Sequence, residues 1–482
     1  MTAAAAVAET HVSLLFFVGD RVYKLRKPVE FGFLDFRDRA TRQADCQREV
    51  VLNRRLAPDV YLGVADLQLN GELVDHMVVM RRLPDELRLS TLARQGANID
   101  EPLRQVATTM ATFHESAQRS TEISAAATGA AVRAGWEANF AETAPFLGTI
   151  LDPVVDGEIR ALATRWIEGR RSLFNSRIAA GRICDGHGDL QAEDIFCLED
   201  GVRILDCVEF SDALRYCDGC ADVAFLAMDL ERLGRSRGAI EFLATYKALA
   251  VDHFPDSLAL HYCASRAYVR TKVSCLRAAQ GIDEAESTAR QLHDLALSYL
   301  RRARVKLVLV GGLPGSGKST LAKGLAEVGS WVVLRSDEIR RELQGRSSGP
   351  APEFGTGRYN RSATDAVYDE LLRRAERSLE SGESVVLDAS WTVHGRREAA
   401  RALADRTSSD LVELCCDVDT AEAQARIARR LSEHSDASEA TPELVAVMAE
   451  RMDPWPSATV VDTSGSPEEA VALAVETFRR QP

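Results

Sequence analysis

The sequence has 482 residues, of which 46% are hydrophobic and 27% are charged, and its formal net charge is −13. A chain of this length exceeds one ordinary hydrophobic core and predicts two or three globular domains. The acidic balance argues against a general nucleic-acid binder, because phosphate backbones are held mainly by clustered Lys and Arg.

The N-terminal part is predicted to form a small antiparallel sheet with one helix. Gly19 and Asp20 separate two apolar runs and predict a tight turn, while Asn70 and Gly71 predict a second hairpin. A helical pattern between the two hairpins ends before Pro58. The predicted strands are residues 12–18, 21–25, 61–69 and 73–80, and the predicted helix is residues 37–56.

Two long helical regions follow, residues 90–180 and residues 222–305. Their Ala, Leu, Arg and Glu residues recur at amphipathic spacing. Between them, residues 195–198 and 202–205 predict two short strands joined by a Glu-Asp-Gly turn. This part of the chain is therefore expected to be mainly helical.

Carboxylates cluster around this short hairpin. Residues 187–194 lead into it and read His-Gly-Asp-Leu-Gln-Ala-Glu-Asp. Asp189 offers a carboxylate that could meet an acceptor hydroxyl. Asp194 and Asp206 lie on either side of the hairpin, which would bring them together to share Mg²⁺.

Lys24 lies on the second predicted strand and Glu49 on the following helix, so the pair could anchor nucleotide phosphates. Together with the Asp-containing segment, they resemble the aminoglycoside phosphotransferase family, whose fold is that of protein kinases, over about residues 10–300. The resemblance implies that Asp189 is the catalytic base, that Asp194 and Asp206 are metal ligands, that Lys24 pairs with Glu49, and that residues 78–82, with Met80, form the adenine hinge.

Two departures from that family keep an inert kinase-like half as an alternative. Asp194 stands where the family ordinarily has Asn, which keeps an oxygen ligand but adds a negative charge. The N-terminus is short, leaves little room for a first strand, and lacks a Gly-rich phosphate loop at residues 9–13. His114 and His187 are expected to be structural, and Asp222 is expected to brace the catalytic loop.

From residue 305 onward, short apolar runs alternate with helical segments. Such runs are typical of buried parallel strands, and their alternation with helices predicts an independent α/β domain. Residues 347–357, rich in Ser, Gly and Pro, predict a loop or lid within it. The predicted strands are residues 305–310, 331–334, 384–387 and 411–415.

The first of these strands leads into a Gly-rich loop and then a helix, an order that is typical of a nucleotide-binding P-loop. Backbone N–H groups and the helix dipole of such a loop hold phosphate oxygens. We expect Lys318 to reach the β and γ phosphates of ATP or GTP, and the Ser319 hydroxyl to ligate Mg²⁺. The predicted nucleotide-binding residues are Gly312, Leu313, Pro314, Gly315, Ser316, Gly317, Lys318, Ser319 and Thr320.

Charged residues after the next strands complete this predicted site. Asp337 follows the second strand, where its carboxylate could orient or deprotonate an acceptor hydroxyl, or else cap the helix beginning at Glu338. Arg340 lies one helical turn further on. Asp388, after the third strand, occupies the position of a Walker-B-like carboxylate that holds Mg²⁺ through water. Candidate γ-phosphate clamps are Arg397, Arg426, Arg429 and Arg430.

The segment from Ser336 to Arg340, with Asp388 and the later Arg397, resembles a group of P-loop kinases over roughly residues 305–480. This group includes polynucleotide 5′-kinases, zeta toxins and chloramphenicol phosphotransferase. The resemblance implies phosphoryl transfer to a hydroxyl, with Asp337 as the base and a lid arginine on the transferred phosphate.

The whole chain is similar to bacterial two-domain proteins that join these two domain types. We expect an α+β protein-kinase-like domain at residues 1–300, with lobes of about 10–85 and 86–300. An α/β P-loop NTPase domain with a mostly parallel sheet is expected to follow at residues 304–482.

The predicted function is a phosphotransferase with two nucleotide sites, ATP or GTP as donor and Mg²⁺ as cofactor. Each site would transfer a γ-phosphoryl group to a hydroxyl of a small molecule such as an amino sugar or aminoglycoside. The alternatives are a nucleotide-sensing regulatory protein with an inert kinase-like half, and a nucleic-acid 5′-hydroxyl kinase, which the acidic charge disfavours.

The first residues have no features of a secretion signal, and no segment is apolar enough to cross a bilayer. Ten cysteines without such a signal are typical of free thiols in a reducing compartment. We therefore expect a cytoplasmic protein without membrane contact. The sequence leaves the oligomeric state open.

Overall fold

A computed structural model describes most of the chain. The loop predicted at residues 347–357 lies outside the described residues. No helix in the described part is both long and apolar enough to span a lipid bilayer. The described ranges are residues 6–9, 12–31, 34–344, 360–433 and 441–480.

The chain divides into two compact units. Most of the first 300 residues form the first unit, although two short segments from this region group with the second. The domain boundary predicted at residues 300–304 stays a prediction. The first unit comprises Met1–Arg160, Phe174–Phe254 and Leu258–Leu300, and the second comprises Ala161–Leu173, Pro255–Ser257 and Arg301–Pro482.

The first unit begins with an antiparallel sheet and one helix. The elements are β1 Ala6–Glu9, β2 Ser13–Val18, β3 Arg21–Arg26, β4 Glu30–Phe31, β5 Leu34–Asp35, α1 Arg39–Asn53, β6 Tyr61–Leu69 and β7 Glu72–Arg81. The main sheet has the strand order β1-β2-β3-β7-β6. Its tight turns use residues that tolerate positive φ: Gly19 at 59°, Asn70 at 53° and Gly71 at 86°. These are the two hairpins that the sequence predicts.

Strand β1 corrects the expectation that the short N-terminus leaves little room for a first strand. Its four residues pair antiparallel with β2, from Ala6 opposite Phe17 to Glu9 opposite Leu14. An edge strand pairs on one side only and needs few residues to do so. The sheet of the described residues therefore has five strands.

Helix α1 packs on the sheet and brings Glu49 to its inner face. Cys46 and Val50 belong to the same apolar cluster as Val22 and Val78 of the strands. The next residue of that inner face, Glu49, is fully buried. A sheet position facing this helix is therefore the natural place for its ionic partner.

Helices dominate the rest of the first unit. Breaks between these helices often fall at a glycine with positive φ. One such break is at Gly234, with a φ of 77°, and the sequence analysis included this residue in one continuous helical region. The short hairpin predicted around the carboxylates is present as β9 and β10 in the following series. The elements are α2 Leu89–Arg94, α3 Asp100–Ser116, α4 Thr121–Ala125, α5 Gly129–Thr143, α6 Pro153–Glu168, α7 Arg171–Ala179, β8 Ile183–Asp185, β9 Ile195–Leu198, β10 Gly201–Ile204, α8 Asp212–Arg215, β11 Tyr216–Asp218, α9 Gly219–Arg232, α10 Ser236–Leu249, α11 Asp256–Ala279 and α12 Ala285–Arg302.

The second unit is built on a parallel sheet. Its elements are β12 Lys306–Gly311, α13 Lys318–Gly329, β13 Val332–Arg335, α14 Ser336–Gln344, α15 Arg361–Glu380, β14 Val385–Asp388, α16 His394–Arg406, β15 Asp410–Asp417, α17 Thr420–Glu433, α18 Glu443–Glu450, β16 Thr459–Asp462 and α19 Pro467–Arg480. The strand order is β13-β14-β12-β15-β16, and every pair is parallel. Strand β16 is the one described strand of this sheet that the sequence analysis missed.

The central strand β12 explains why this sheet carries helices on both faces. Leu307 and Leu309 lie in one apolar cluster, while Val308 and Val310 lie in a different one. Side chains alternate between the faces of a strand, so a continuous apolar run buries both faces. The predicted classes are thus confirmed, with an α+β part followed by an α/β domain that has a parallel sheet.

A buried ion-pair network on α7 gives a test of what stabilises the first unit. The Arg177 guanidinium donates to Asp218 at 2.6 and 2.8 Å and to Asp252 at 2.8 Å. Replacing Arg177 with Met leaves two buried carboxylates without their cationic partner. We therefore expect the unfolding free energy to fall by about 3–5 kcal/mol. Urea denaturation followed by circular dichroism measures it.

The matched control is Arg237→Met, which removes an exposed ion pair with Glu241. Exposed pairs contribute little, so its urea midpoint should not move measurably. Equal midpoints for the two variants would show that the buried network does not stabilise the unit.

Candidate active sites

The Gly-rich loop between β12 and α13 has two positions where only glycine fits. Gly312 has a φ of 129° and Gly315 a φ of 79°, which other residues rarely adopt. A Cβ atom at Gly312 would lie 2.5 Å from the carbonyl oxygen of Cys416, and one at Gly315 would lie 2.4 Å from that of Ala423. Helix α13 begins at Lys318, so its first N–H groups adjoin the loop and suit an anion.

A cavity of about 1060 Å³ opens at this loop within the second unit. The carboxyl ends of parallel strands meet at one edge of a sheet, which is why residues from several strand ends share this cavity. The predicted site residues that line it are Pro314, Gly315, Gly317, Lys318, Ser319, Thr320, Asp337, Arg340, Asp388, Arg426 and Arg429.

Three predicted P-loop residues act through their backbone instead of lining the cavity. The Leu313 carbonyl accepts a hydrogen bond from the Lys318 ammonium at 2.7 Å, and the Ser316 carbonyl accepts one from the Thr463 hydroxyl at 2.8 Å. The Gly312 N–H donates to a neighbouring loop carbonyl at 3.2 Å. These hydrogen bonds stabilise the conformation of the loop.

Ser319 and Asp388, the predicted metal ligands of the second unit, share one guanidinium. Arg335 donates through Nη2 to Ser319 Oγ at 3.0 Å and through Nε to Asp388 Oδ2 at 3.1 Å. Its Nη1 also donates to Glu338 at 3.2 Å. One cation thus reaches a hydroxyl and a carboxylate oxygen together, and these are donor types that Mg²⁺ prefers. The donor set fits the metal.

The sequence analysis missed Arg335. Strand pairing places it directly opposite Asp388, at the ends of β13 and β14. The available signal was an arginine at the end of a strand that neighbours the strand of Asp388, the predicted metal ligand. This signal identifies Arg335 only when the pairing register of the two strands is known.

Asp337 and Arg340 lie in the first turns of α14 and line the cavity. The Asp337 carboxylate makes no hydrogen bond or ion pair with the residues that the structure describes, so it does not cap its helix. Arg340 is buried next to it on the same helix face. A carboxylate without an internal partner, open to a cavity, is suited to receive a proton from a bound molecule.

The structure corrects the assignment of Arg397 as a phosphate clamp. Its side chain is buried, and it donates to the carbonyls of Trp391 at 2.8 Å and Pro454 at 2.7 Å. A guanidinium held by backbone carbonyls away from the cavity serves to join two loops. Its neighbour Arg396 lines the cavity in its place.

The other candidate clamps differ in position. Arg426 lines the cavity and donates to the Thr463 carbonyl at 2.8 Å, and Arg429 also lines it. The side chain of Arg430 lies outside the described residues. The roles of these arginines toward a phosphate stay predictions.

In the first unit, Lys24 joins the strand, the helix and the loop that carry the predicted site. Its Nζ lies 2.8 Å from Glu49 Oε1 and 3.0 Å from Asp206 Oδ1. Burial lowers the pKa of Lys24, but the Asp206 and Glu49 carboxylates raise it well above its ordinary value. The ammonium therefore stays charged where nucleotide phosphates would bind.

Asp206, which contacts this ammonium, also interacts with Asp194 and Asp189. Burial raises the pKa of Asp194 well above its usual range, and the nearby Asp206 and Asp189 raise it further. The Lys24 ammonium lowers the pKa of Asp206 against the effect of burial. The β9–β10 hairpin brings the pair together, since the Leu205 N–H donates to the Asp194 carbonyl at 2.9 Å. Two carboxylates at such a site suit a shared divalent cation.

Asp222 holds the loop that carries Asp189. Its carboxylate accepts the backbone N–H of His187 at 2.7 Å and of Gly188 at 2.9 Å, and it lies 3.0 Å from His114 Nε2. Burial would raise the pKa of Asp222, but the His114 contact and these hydrogen bonds lower it. His187, fully buried, reaches the Leu205 carbonyl at 3.0 Å. These contacts are the structural ones expected for both histidines and Asp222.

Met80, assigned to the adenine hinge, lies one residue before the end of β7. Its side chain packs in the apolar cluster that also contains Phe196, with Leu198 and Leu205 against it. An apolar cluster beside the Lys24 pair suits a flat aromatic base. Contact with a base stays a prediction.

Sequence comparison places the chain among known proteins. A family model described as an AAA domain matches residues 307–455. Over 476 residues the chain is 40% identical to the uncharacterized protein Rv2004c of Mycobacterium tuberculosis, covering 98% of this chain and 95% of the relative. The chain belongs to the Rv2004c family. A member from Mycobacterium bovis has the same identity and coverage.

This member of the Rv2004c family is also similar to solved structures of kinases. A choline/ethanolamine kinase family protein from Mesorhizobium loti is 13% identical and covers 62% of this chain and 93% of that chain, with a TM-score of 0.38. The APS kinase CysC of Mycobacterium tuberculosis is 20% identical and covers 36% and 98%, with a TM-score of 0.29. The P-loop and the ionic cluster around Lys24 in this chain support a nucleotide-binding phosphotransferase.

The brace at Asp222 can be tested without an acceptor. In the unaltered protein, each Asp222 oxygen accepts a backbone N–H group. Asp222→Asn replaces one of these oxygens with an NH₂ group, which cannot accept, and it also removes the negative charge. Because hydrogen bonds to a charged group contribute about 1.5–3 kcal/mol, the amides of His187 and Gly188 should exchange roughly 10- to 100-fold faster. Hydrogen exchange with mass spectrometry measures this.

The control variant Asp200→Asn removes an exposed pair with Arg203 in the β9–β10 turn. It should leave exchange of the Asp189 loop unchanged. Unaltered exchange in Asp222→Asn would mean that other contacts hold the loop.

Proposed function

We propose that the protein is an ATP-dependent phosphotransferase with two nucleotide sites, one in each unit. Each site transfers a γ-phosphoryl group to a hydroxyl of a small molecule, with GTP as an alternative donor. The observation that carries the proposal is that each unit gathers a lysine, a pair of metal-type oxygen ligands and a carboxylate able to receive a proton.

In the first unit, Lys24 anchors the nucleotide phosphates while Glu49 and Asp206 hold its ammonium in position. Asp189 receives the proton of the acceptor hydroxyl. Burial raises the pKa of Asp189 to about 6, which strengthens it as a base while it stays mostly ionised near neutral pH.

In the second unit, the loop N–H groups and Lys318 bind the phosphates, and Asp337 receives the hydroxyl proton. The arginines that line the cavity supply positive charge around the transferred group. Proximity and charge do most of the work in phosphoryl transfer, so a preformed cavity of this kind is the main requirement.

Magnesium would be held by Asp194 and Asp206 in the first unit and by Ser319 and Asp388 in the second. When bound, it neutralises phosphate charge. In the second unit Arg335 already contacts both ligand residues, so it must rearrange when they turn to another cation.

Nucleotide stoichiometry tests the two-site proposal. Calorimetry with the non-hydrolysable analogue AMP-PNP should give two sites in the unaltered protein, and Lys24→Met or Lys318→Met should each remove one. Loss of a charge-assisted phosphate contact should weaken that site by roughly 10- to 100-fold. The controls Lys27→Met, directly after β3, and Lys323→Met, on α13, should retain both sites.

A single site in the unaltered protein, lost in Lys318→Met alone, would favour the nucleotide-sensing alternative with an inert kinase-like half. Weak AMP-PNP binding that depends on neither lysine would reject nucleotide chemistry at both places.

Turnover tests the assignment of the two bases. With a responsive acceptor, Asp189→Asn and Asp337→Asn should each lower ADP release by about 10²- to 10⁴-fold at their own site and leave the other site active. The double variant should be inactive although it binds AMP-PNP. Unchanged ADP release in the double variant would rule out both carboxylates as bases.

A further inference from the structure

Helix α11 carries two arginines, Arg266 and Arg270, that the mechanism above does not use. They are four residues apart and so share one face of the helix, and both are half-buried. Arg266 Nε donates to the Ala221 carbonyl at 3.3 Å, and its guanidinium lies 5.1 Å from the centre of the Phe225 ring. This face of α11 therefore rests on the first turns of α9.

The same turn of α9 fixes the loop of the catalytic carboxylate. Asp222, adjacent to Ala221, accepts the backbone N–H groups of His187 and Gly188 just before Asp189. The arginine face and the loop are thus anchored to neighbouring residues of one buried helix. Their relative position is therefore set in part by their contacts with this helix.

The charges of both arginines act on Asp189. Burial raises the pKa of Asp189 to about 6, Arg270 and Arg266 both oppose this rise, and Asp206 adds to it. This agrees with the shared anchoring of the arginine face and the Asp189 loop on α9, because Coulomb energies fall with distance. The reacting end of the acceptor must therefore bind beside two fixed positive charges.

Neither guanidinium forms an ion pair with a carboxylate in the described part of the chain. Arg270 makes no hydrogen bond or ion pair with the residues that the structure describes, and Arg266 has only the Nε contact already given. A half-buried cation without a partner is costly, and a planar guanidinium pairs best with carboxylate or phosphate.

We propose that Arg266 and Arg270 form the acceptor subsite of the first unit and that its acceptor carries a phosphate or carboxylate group besides the reacting hydroxyl. The inference rests on the proposed transfer at Asp189. It departs from an aminoglycoside acceptor, since a polycationic molecule would be repelled by two arginines.

The chemical step is ordinary phosphoryl transfer. The acceptor hydroxyl oxygen forms a bond to the γ-phosphorus, and the bond from that phosphorus to the β–γ bridging oxygen breaks. ADP leaves with the bonding electrons, and the hydroxyl proton passes to Asp189. The anionic group of the acceptor stays bound to the arginines and is not changed.

The test compares small acceptors with their own phosphate esters in the full chain with Lys318→Met, which leaves nucleotide to the first unit. With AMP-PNP saturating, calorimetry measures binding of glucose and glucose 6-phosphate, ribose and ribose 5-phosphate, and glycerol and glycerol 3-phosphate. We expect at least one ester to bind about tenfold or more tightly than its parent. Arg270→Gln should abolish that preference, and Arg270→Lys should restore part of it.

The matched control is Arg277→Gln, an exposed arginine further along α11, which should keep the preference. No preference for any ester, a preference retained in Arg270→Gln, or tighter binding of kanamycin than of every ester would overturn the proposal. Failure of AMP-PNP to bind the Lys318→Met protein would instead refute the nucleotide site of the first unit.

Discussion

The buried guanidinium of Arg26 contacts three carboxylates. These contacts hold together the elements that form the candidate site of the first unit. The guanidinium donates to Asp45 and Glu49 on α1, both at 2.7 Å, and contacts Glu209 in the segment after β10. Breaking one contact of a buried pair leaves a charge that water cannot reach, so the three elements are held as a set. Glu49 is thereby fixed where Lys24 needs it.

The second unit meets the same constraint with a different geometry. Parallel strands end at one edge, and the buried Asp388 ends the strand beside the one that ends in Arg335. The resulting pair keeps the carboxylate in place, and the same guanidinium holds the Ser319 hydroxyl. In both units, an ion pair with a buried carboxylate therefore fixes the groups that phosphate chemistry would use.

Local signals in the sequence predicted the parts of the fold that depend on neighbouring residues. The Asn70 turn and the P-loop glycines belong to this class, because their backbone angles are set by residue type. Arg335 and Arg397 were misjudged or missed because their roles depend on pairing register and on loops distant in sequence. The short strand β16 escaped because it carries too few apolar residues to stand out from its surroundings.

Asp194 shows how one substitution in a familiar pattern acquires a physical meaning. Where the aminoglycoside phosphotransferase pattern ordinarily has a neutral amide, this chain has a half-buried carboxylate. Burial raises its pKa, and the nearby Asp206 and Asp189 raise it further. Such a cluster is costly unless cations stand close by. Lys24 already occupies one side through Asp206, and the α11 arginines act on Asp189 from another. The negative charge of this cluster is thus partly offset by Lys24 and by the two arginines. The carboxylates remain suited to a divalent cation, and the arginines to an anionic group.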